Sequence, residues 1–248
     1  MNRTPTSVVK HIRALLKDGG SARHTVEVQR FFKQEVESHG WYTGELQKLA
    51  GRFRRTILAE SGEEFLLQVA DELFRSPMLE EKNFAVMLLQ GLVRDLGKTE
   101  FRLFESWIDR ISTWADHDAL IHYLIGPMIA ADPSLLDRPA RWARKRDRWH
   151  RRAAAVSLIH STRQHKNFGH IRSVAEILLT SEDDMVQKGL GWLLREAAKA
   201  NPKKTVAYLM NIRHLAPRLV LRTACETLDA ATRERVLTQK KSMAAAAR

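Results

Sequence analysis

The sequence predicts an all-α protein, a right-handed solenoid of antiparallel helix pairs with a basic concave face. Three observations carry that expectation. Apolar residues recur at helical spacing, while Gly and Pro are sparse, at 12 and 7 of 248 residues, and fall between the periodic runs. No stretch alternates polar and apolar residues between turn signals, as a strand would. Five segments also align as an internal repeat: Asn83-Phe-Ala-Val-Met-Leu-Leu, His117-Asp-Ala-Leu-Ile-His-Tyr, Arg151-Arg-Ala-Ala-Ala-Val-Ser, Gln187-Lys-Gly-Leu-Gly-Trp-Leu and Leu221-Arg-Thr-Ala-Cys-Glu-Thr. Starting at residues 83, 117, 151, 187 and 221, they lie 34, 34, 36 and 34 apart, a period that belongs to helical arrays.

The elements follow in order. Thr6 to Lys17 places Val8, Val9, Ile12, Leu15 and Leu16 at helical spacing and ends at Gly19-Gly20. A second helix is expected over Val26 to Glu37, with Val28, Phe31 and Phe32 apolar, before the His39-Gly40 break. A third starts at Thr43-Gly-Glu-Leu and runs toward Leu58. Helices then come in pairs: Glu63 to Arg75 with Glu81 to Leu96, Glu100 to Ser112 with His117 to Ala130, and Pro133 to Lys145 with Arg148 to His160. The last two pairs are Asn167 to Leu179 with Asp184 to Ala200, and Lys203 to Ile212 with Pro217 to Leu228. Short loops imply antiparallel partners, and stacked partners make the solenoid, with the second helix of each pair expected on the concave face. One domain is expected over 1–238, followed by a disordered tail at 239–248.

Composition narrows the function. Lys and Arg outnumber Asp and Glu by 41 to 29, a net charge of +12, and the isoelectric point is near 10.1. That balance favours a polyanionic partner, nucleic acid first and an anionic membrane surface second. No run reaches the roughly 18 apolar residues of a membrane span, and Met1 to Lys17 lacks the apolar core of a secretion signal. The expectation is a cytoplasmic monomer, associated with the nucleoid through DNA and without a membrane partner. The lone Cys225 excludes an intramolecular disulfide and a cysteine-built metal site. His160, His165 and His170 do not share a helical face, so no metal is expected. Gly97-Lys98-Thr99 lacks the preceding glycine-rich loop of a phosphate-binding motif. No cofactor is expected.

Register within the repeat points to the chemistry. The second repeat position reads Phe84, Asp118, Arg152, Lys188, Arg222, a single carboxylate in a column otherwise apolar or cationic. Lys188, Trp192 and Arg195 stand at i, i+4 and i+7 on one helix face; Arg148 with Arg152, and Arg218 with Arg222, do the same one repeat to either side. Such a stripe suits successive phosphates. The run Arg141-Trp-Ala-Arg-Lys-Arg-Asp-Arg-Trp-His-Arg-Arg152 interleaves six arginines and a lysine with Trp142 and Trp149. The third repeat position is Ala or Gly in the first four segments, which would let neighbouring helices approach closely. Asp116, two residues before Asp118, is the better candidate for a helix-capping role.

Together these residues resemble the AlkD-type DNA glycosylases. The resemblance rests on Trp114-x-x-x-Asp118, on Trp149-His-Arg-Arg152-Ala-Ala, on Gln187-Lys-Gly-Leu-Gly-Trp192-Leu-Leu-Arg195-Glu and on the following Asn201-Pro202. Phe31-Phe32-Lys33 through Gly40, and Thr43-Gly-Glu-Leu, extend it over roughly residues 22 to 230. It implies HEAT-like helical repeats and excision of N3- or N7-alkylated purines from double-stranded DNA without flipping the base into a pocket. By the same resemblance Asp118 is the catalytic carboxylate, Trp114 and Trp192 flank the lesion's deoxyribose, and Arg152 contacts the backbone beside it. Arg148, Lys188, Arg195 and Arg222 extend the DNA contact. Phe31 stands where well-known members carry a Tyr near the DNA. A cationic purine needs no protonation to leave, so one carboxylate suffices, and the expected enzyme is monofunctional, leaving an abasic site. The competing readings are a non-catalytic nucleic-acid-binding or scaffold array and a glycosylase for bulky adducts.

Overall fold

The computed structural model describes residues 4–163 and 167–238. The expected tail at 239–248, and His165, lie outside the described residues. Every regular element among the described residues is helical. The chain forms two compact units, Met1–Met128 and Ile129–Arg248.

In the first unit, α1 (Pro5–Asp18) is capped by Thr4, whose hydroxyl accepts from the Ser7 amide at 3.2 Å; Pro5 takes the first turn, where no amide donor is needed. Val8, Val9, Ile12 and Leu16 face the core. The stop at Gly19-Gly20 has a steric cause. A Cβ on Gly19 would lie 2.4 Å from the Trp41 ring, and one on Gly20 only 2.1 Å from the His39 carbonyl oxygen.

The second helix differs from expectation. Helix α2 (Ala22–Gln29) starts before Val26 and ends at Gln29 rather than Glu37. The Gln29 side chain donates to the Gln34 carbonyl at 2.8 Å and accepts from the Val36 amide at 3.0 Å, turning the chain back on itself. Further on, the buried Glu80 carboxylate accepts from Ser38 Oγ at 2.6 Å and from the amides of His39, Gly40 and Trp41 at 2.8, 3.0 and 3.3 Å. Amides that a continuing helix would satisfy internally are satisfied by side chains instead. Phe31 is left 72% exposed at this turn.

Helix α3 (Thr43–Phe74) is broken at Gly62, whose φ of 82° lies in the left-handed region open to glycine, so it reads as the two predicted helices end to end. Helix α4 (Leu79–Leu89) packs along α3 and stops short of the predicted Leu96. At Gly91 the Arg54 guanidinium fills the space a side chain would need, 2.5 Å from an added Cβ. Helix α5 (Lys98–Trp107) opens with the Glu100 carboxylate accepting from the Gly97 amide at 2.7 Å. It ends on Trp107, which is fully buried and stacked on Phe74 with ring centres 4.4 Å apart. Each such ring removed from water contributes about 1.5–3 kcal/mol. A 3₁₀ turn, Ile108–Arg110, leads to α6 (Trp114–Leu120), a π-helical turn Ile121–Ile125 and α7 (Gly126–Ala131).

The second unit contains α8 (Arg138–Ala143), α9 (Arg148–Val156), α10 (Phe168–Leu178), α11 (Asp184–Ala200), α12 (Pro202–Ile212), α13 (Arg218–Ala224) and α14 (Ala230–Leu237). Helix α11 packs between α9 and α13, while α8 packs on α9 and α10, and α12 on α11. These are stacked helix pairs, the construction unit of an α-solenoid. Small residues permit the approach. A Cβ on Gly189 would lie 3.1 Å from Arg152 Cγ, and one on Gly191 only 2.6 Å from Thr223 Cβ.

Candidate functional site

The start of α6 assigns different jobs to its two aspartates. Thr113 is the N-cap, its hydroxyl accepting from the Ala115 amide at 3.2 Å. Asp116 answers from the third helical position. Its Oδ1 accepts from the Thr113 amide at 2.7 Å and from the Thr113 hydroxyl, and its Oδ2 accepts from the Ser112 amide at 2.9 Å, from Ser112 Oγ at 3.3 Å and from Lys82 Nζ at 3.0 Å. Both Asp116 and Lys82 are buried, and Lys82 also donates to the Arg110 carbonyl at 2.5 Å. Asp116 therefore takes the capping role expected of it, as one half of a capping box. Its oxygens are committed to structure.

Asp118 is placed differently. It lies one turn from Trp114 on the same helix face, and its side chain is 22% exposed. One carboxylate oxygen accepts from Nδ1 of the fully buried His117 at 2.7 Å. That bond fixes the ring's tautomer, with Nδ1 protonated, and restrains the carboxylate rotamer. The sequence pattern marks His117 only by adjacency, since neighbours on a helix ordinarily point about 100° apart. Trp114 is half-buried, stacked on Phe32 with ring centres 5.2 Å apart and planes at 21°. The early turn thus supports Trp114 through Phe32, while Phe31 points to solvent. Immediately after α6, the Ile121 amide bonds to the carbonyls of both His117 and Asp118, and the chain widens into its π-helical turn. Such turns recur at functional positions.

In the second unit the predicted cations stand on α9, α11 and α13, with α11 packed against the other two, and most are already paired. Arg148 donates from Nε and Nη2 to Asp183 Oδ2 at 2.8 and 2.5 Å, with its guanidinium 5.9 Å from the Trp149 ring centre. Asp183 meanwhile caps α11, its Oδ1 accepting from the Met185 amide at 2.9 Å. Lys188 lies 3.3 Å from Asp184. Arg195 bonds to Glu226 at 2.5 Å and Glu196 at 3.2 Å. Burial disfavours the Arg195 charge, yet these two carboxylates outweigh it and hold its pKa above the ordinary guanidinium value. Arg152 is buried, with Nη1 on the Met185 carbonyl at 2.7 Å. Arg222 is exposed, and Trp192 is half-buried one turn from Lys188. No three His, Cys, Asp or Glu side chains gather around a common point among the described residues.

Stacked helix pairs define an all-helical repeat protein, with a carboxylate restrained by His117 one turn from a stacked tryptophan. Residues 12–228 match the family described as DNA alkylation repair enzyme, and the chain belongs to that family. Among solved structures, it is similar to a predicted DNA alkylation repair enzyme from Enterococcus faecalis, with 20% identity and a TM-score of 0.75 over 85% of this chain and 97% of that one. AlkD2 from Streptococcus mutans is 19% identical with a TM-score of 0.63, over 92% of this chain and 100% of that one. A further Streptococcus mutans protein, smu.31 from strain UA159, is 18% identical with a TM-score of 0.56, covering 74% and 100% respectively. No curated protein matches the chain.

Proposed function

We propose that this DNA alkylation repair protein is a monofunctional glycosylase that hydrolyses the N-glycosidic bond of cationic N3- or N7-alkylated purines in duplex DNA. The observation that carries the reading is the contrast between Asp116 and Asp118. Two residues apart, one carboxylate is consumed by capping and Lys82, while the other is partly exposed, beside Trp114, with His117 restraining it.

The chemistry asks little more. An alkylated purine already carries a positive charge, so when the C1′–N bond breaks its electron pair neutralises the departing base, and no acid is required. Positive charge develops on the sugar as an oxocarbenium ion. A carboxylate held close to C1′ stabilises it, and water then adds at C1′ and loses its proton. The negative face of the Trp114 ring favours the same cationic sugar. Trp192 is assigned to the lesion's deoxyribose, and Arg148, Arg152, Lys188, Arg195, Arg222 and Phe31 to DNA contact. An abasic site and a free base are the products.

The test is a duplex carrying a single 7-methylguanine, incubated with protein and then with alkali to cut abasic sites. Cleavage that disappears in Asp118→Asn while duplex affinity persists supports the reading. Cleavage at the wild-type rate by a folded Asp118→Asn variant overturns it.

A further inference from the structure

We propose that the exposed face of the first half of α3 is a separate docking surface for the phosphate backbone of duplex DNA. Lys48, Arg52 and Arg55 build it around Gly44 and Gly51. It uses no part of the Asp118 chemistry and rests only on the chain's place in a DNA repair family.

The face is defined by helix geometry. Gly44, Lys48, Gly51 and Arg55 recur at intervals of four, three and four residues, which draws one line along the helix, with Arg52 and Gln47 to either side. Leu46, Leu49, Ala50 and Ile57 lie on the opposite side and are buried. The six exposed-side residues line an open groove of about 690 Å³.

Two independent features point to an anionic backbone as the occupant. The first is uncompensated charge. Lys48, Arg52 and Arg55 are exposed, and none has an acidic partner among the described residues. Arg148, Lys188 and Arg195, the cations that sequence register singles out, each hold a carboxylate instead. A phosphate arriving at α3 displaces only counterions, whereas one arriving at Arg148 must compete with Asp183.

The second feature is the pair of glycines. Glycine in the interior of a helix is disfavoured relative to alanine; Gly51 sits there, while Gly44 lies in the first turn of α3. Neither has a positive φ. A Cβ on Gly44 would meet nothing within 4 Å, and one on Gly51 only the Arg55 guanidinium, at 3.9 Å. Among the described residues nothing closes on either position, in contrast to Gly191 against Thr223. The two open positions leave room for a partner whose own backbone comes closer to the helix than larger side chains would allow. Lys48 and Arg55 stand about 10 Å apart along the axis, a span from which long side chains reach successive phosphates of one strand.

Anisotropy titrations of the full chain with undamaged duplex DNA, across a series of salt concentrations, test this without reference to excision. The triple variant Lys48→Gln, Arg52→Gln, Arg55→Gln is expected to flatten the salt dependence by about 0.9 per lost phosphate contact, so by about 2 to 3 in all. Affinity should fall at least tenfold. A charge-matched control, Lys10→Gln, Lys17→Gln, Arg23→Gln, should stay close to wild type. Gly51→Leu should melt at or above the wild-type temperature yet bind DNA more weakly, a combination that a purely structural glycine cannot give. The proposal is overturned if the wild type binds no duplex, if the triple variant and the control share one slope, or if Gly51→Leu binds as tightly as wild type. A triple variant that loses affinity for RNA but not for duplex DNA also overturns it.

Discussion

Replacing Lys82 by Met removes the one cation that Asp116 touches among the described residues, while keeping the length of the side chain. The pair is buried on both sides, with side-chain exposures of 4% and 0% and a 3.0 Å separation. Breaking such a pair by removing one partner costs about 3–5 kcal/mol, because a charge is left desolvated without compensation. Two amides and two hydroxyls of Ser112 and Thr113 still face Asp116, so the expected loss is near the lower end, about 3 kcal/mol. The Arg110 carbonyl and Ser112 Oγ each lose a donor as well. For a protein of this size 1 kcal/mol shifts Tm by about 2–4 °C, which puts the Lys82→Met shift at roughly 6–12 °C. Asp116→Asn should cost a similar amount. The double variant Lys82→Met, Asp116→Asn should cost clearly less than the sum, since neither partner is then left charged and alone. Thermal and urea unfolding of all four proteins closes the cycle. Strict additivity of the two single changes would refute the reasoning, and so would a Lys82→Met shift under about 2 °C.

Three further outcomes are expected. Asp118→Asn should slow single-turnover excision by about a thousandfold, the worth of roughly 4 kcal/mol for unit charges 4 Å apart at an effective dielectric constant of 20; a loss under tenfold argues against a charge-stabilising role. His117→Val should lower the excision rate without weakening duplex affinity, and His117→Asn, which keeps a donor, should recover part of it; equal rates in the two variants would exclude the restraining bond. Asp71 holds Arg75 and Arg110, each at 2.6 Å, and Trp107 Nε1 at 2.8 Å. Burial pushes its pKa up, but these three bonds outweigh it and leave the carboxyl below its ordinary 3.8. Because the folded value is depressed, the stabilisation is complete above the unfolded pKa and is lost as pH falls through the folded one. The stability gap between wild type and Asp71→Asn should be constant from pH 6 to 8 and shrink below about pH 4, as followed by urea unfolding.

Where local chemistry decided an element, the sequence was sufficient. Helix α11 occupies the predicted Asp184 to Ala200 because a long amphipathic run is bounded by the Asp183 cap at one end and Asn201-Pro202 at the other. The capping role of Asp116 was legible from its place two residues before Asp118 at the start of a helix, and the structure supplies the reason, a capping box with Thr113. Elements decided at a distance were not legible. Phe31 and Phe32 continue the apolar spacing of α2 past its true end, where Gln29 turns the chain back and Glu80, 41 residues from His39, holds the segment that follows. Likewise the cations of the repeat can be seen in register, but the acids that hold them lie 35 residues from Arg148 and 31 from Arg195, and their pairing follows from helix stacking. The His117–Asp118 bond and the glycine-lined face of α3 depend on which side of a helix meets the core. A pattern of residue types constrains that only loosely.

The Glu80 carboxylate has a mechanical consequence. Gln29 ties Gln34 and Val36 back to the end of α2, and Glu80 holds the chain just beyond at 38–41, so the short arch at 30–37 that carries Phe31 is fixed at both ends. An arch with fixed feet has few ways to fold inward, so its apolar ring stays presented to water rather than collapsing onto the body of the protein. The turn on which the exposed phenylalanine stands is thus held by the Gln29 bonds and anchored beyond its far end by the buried Glu80, and a substitution at either should be felt at Phe31.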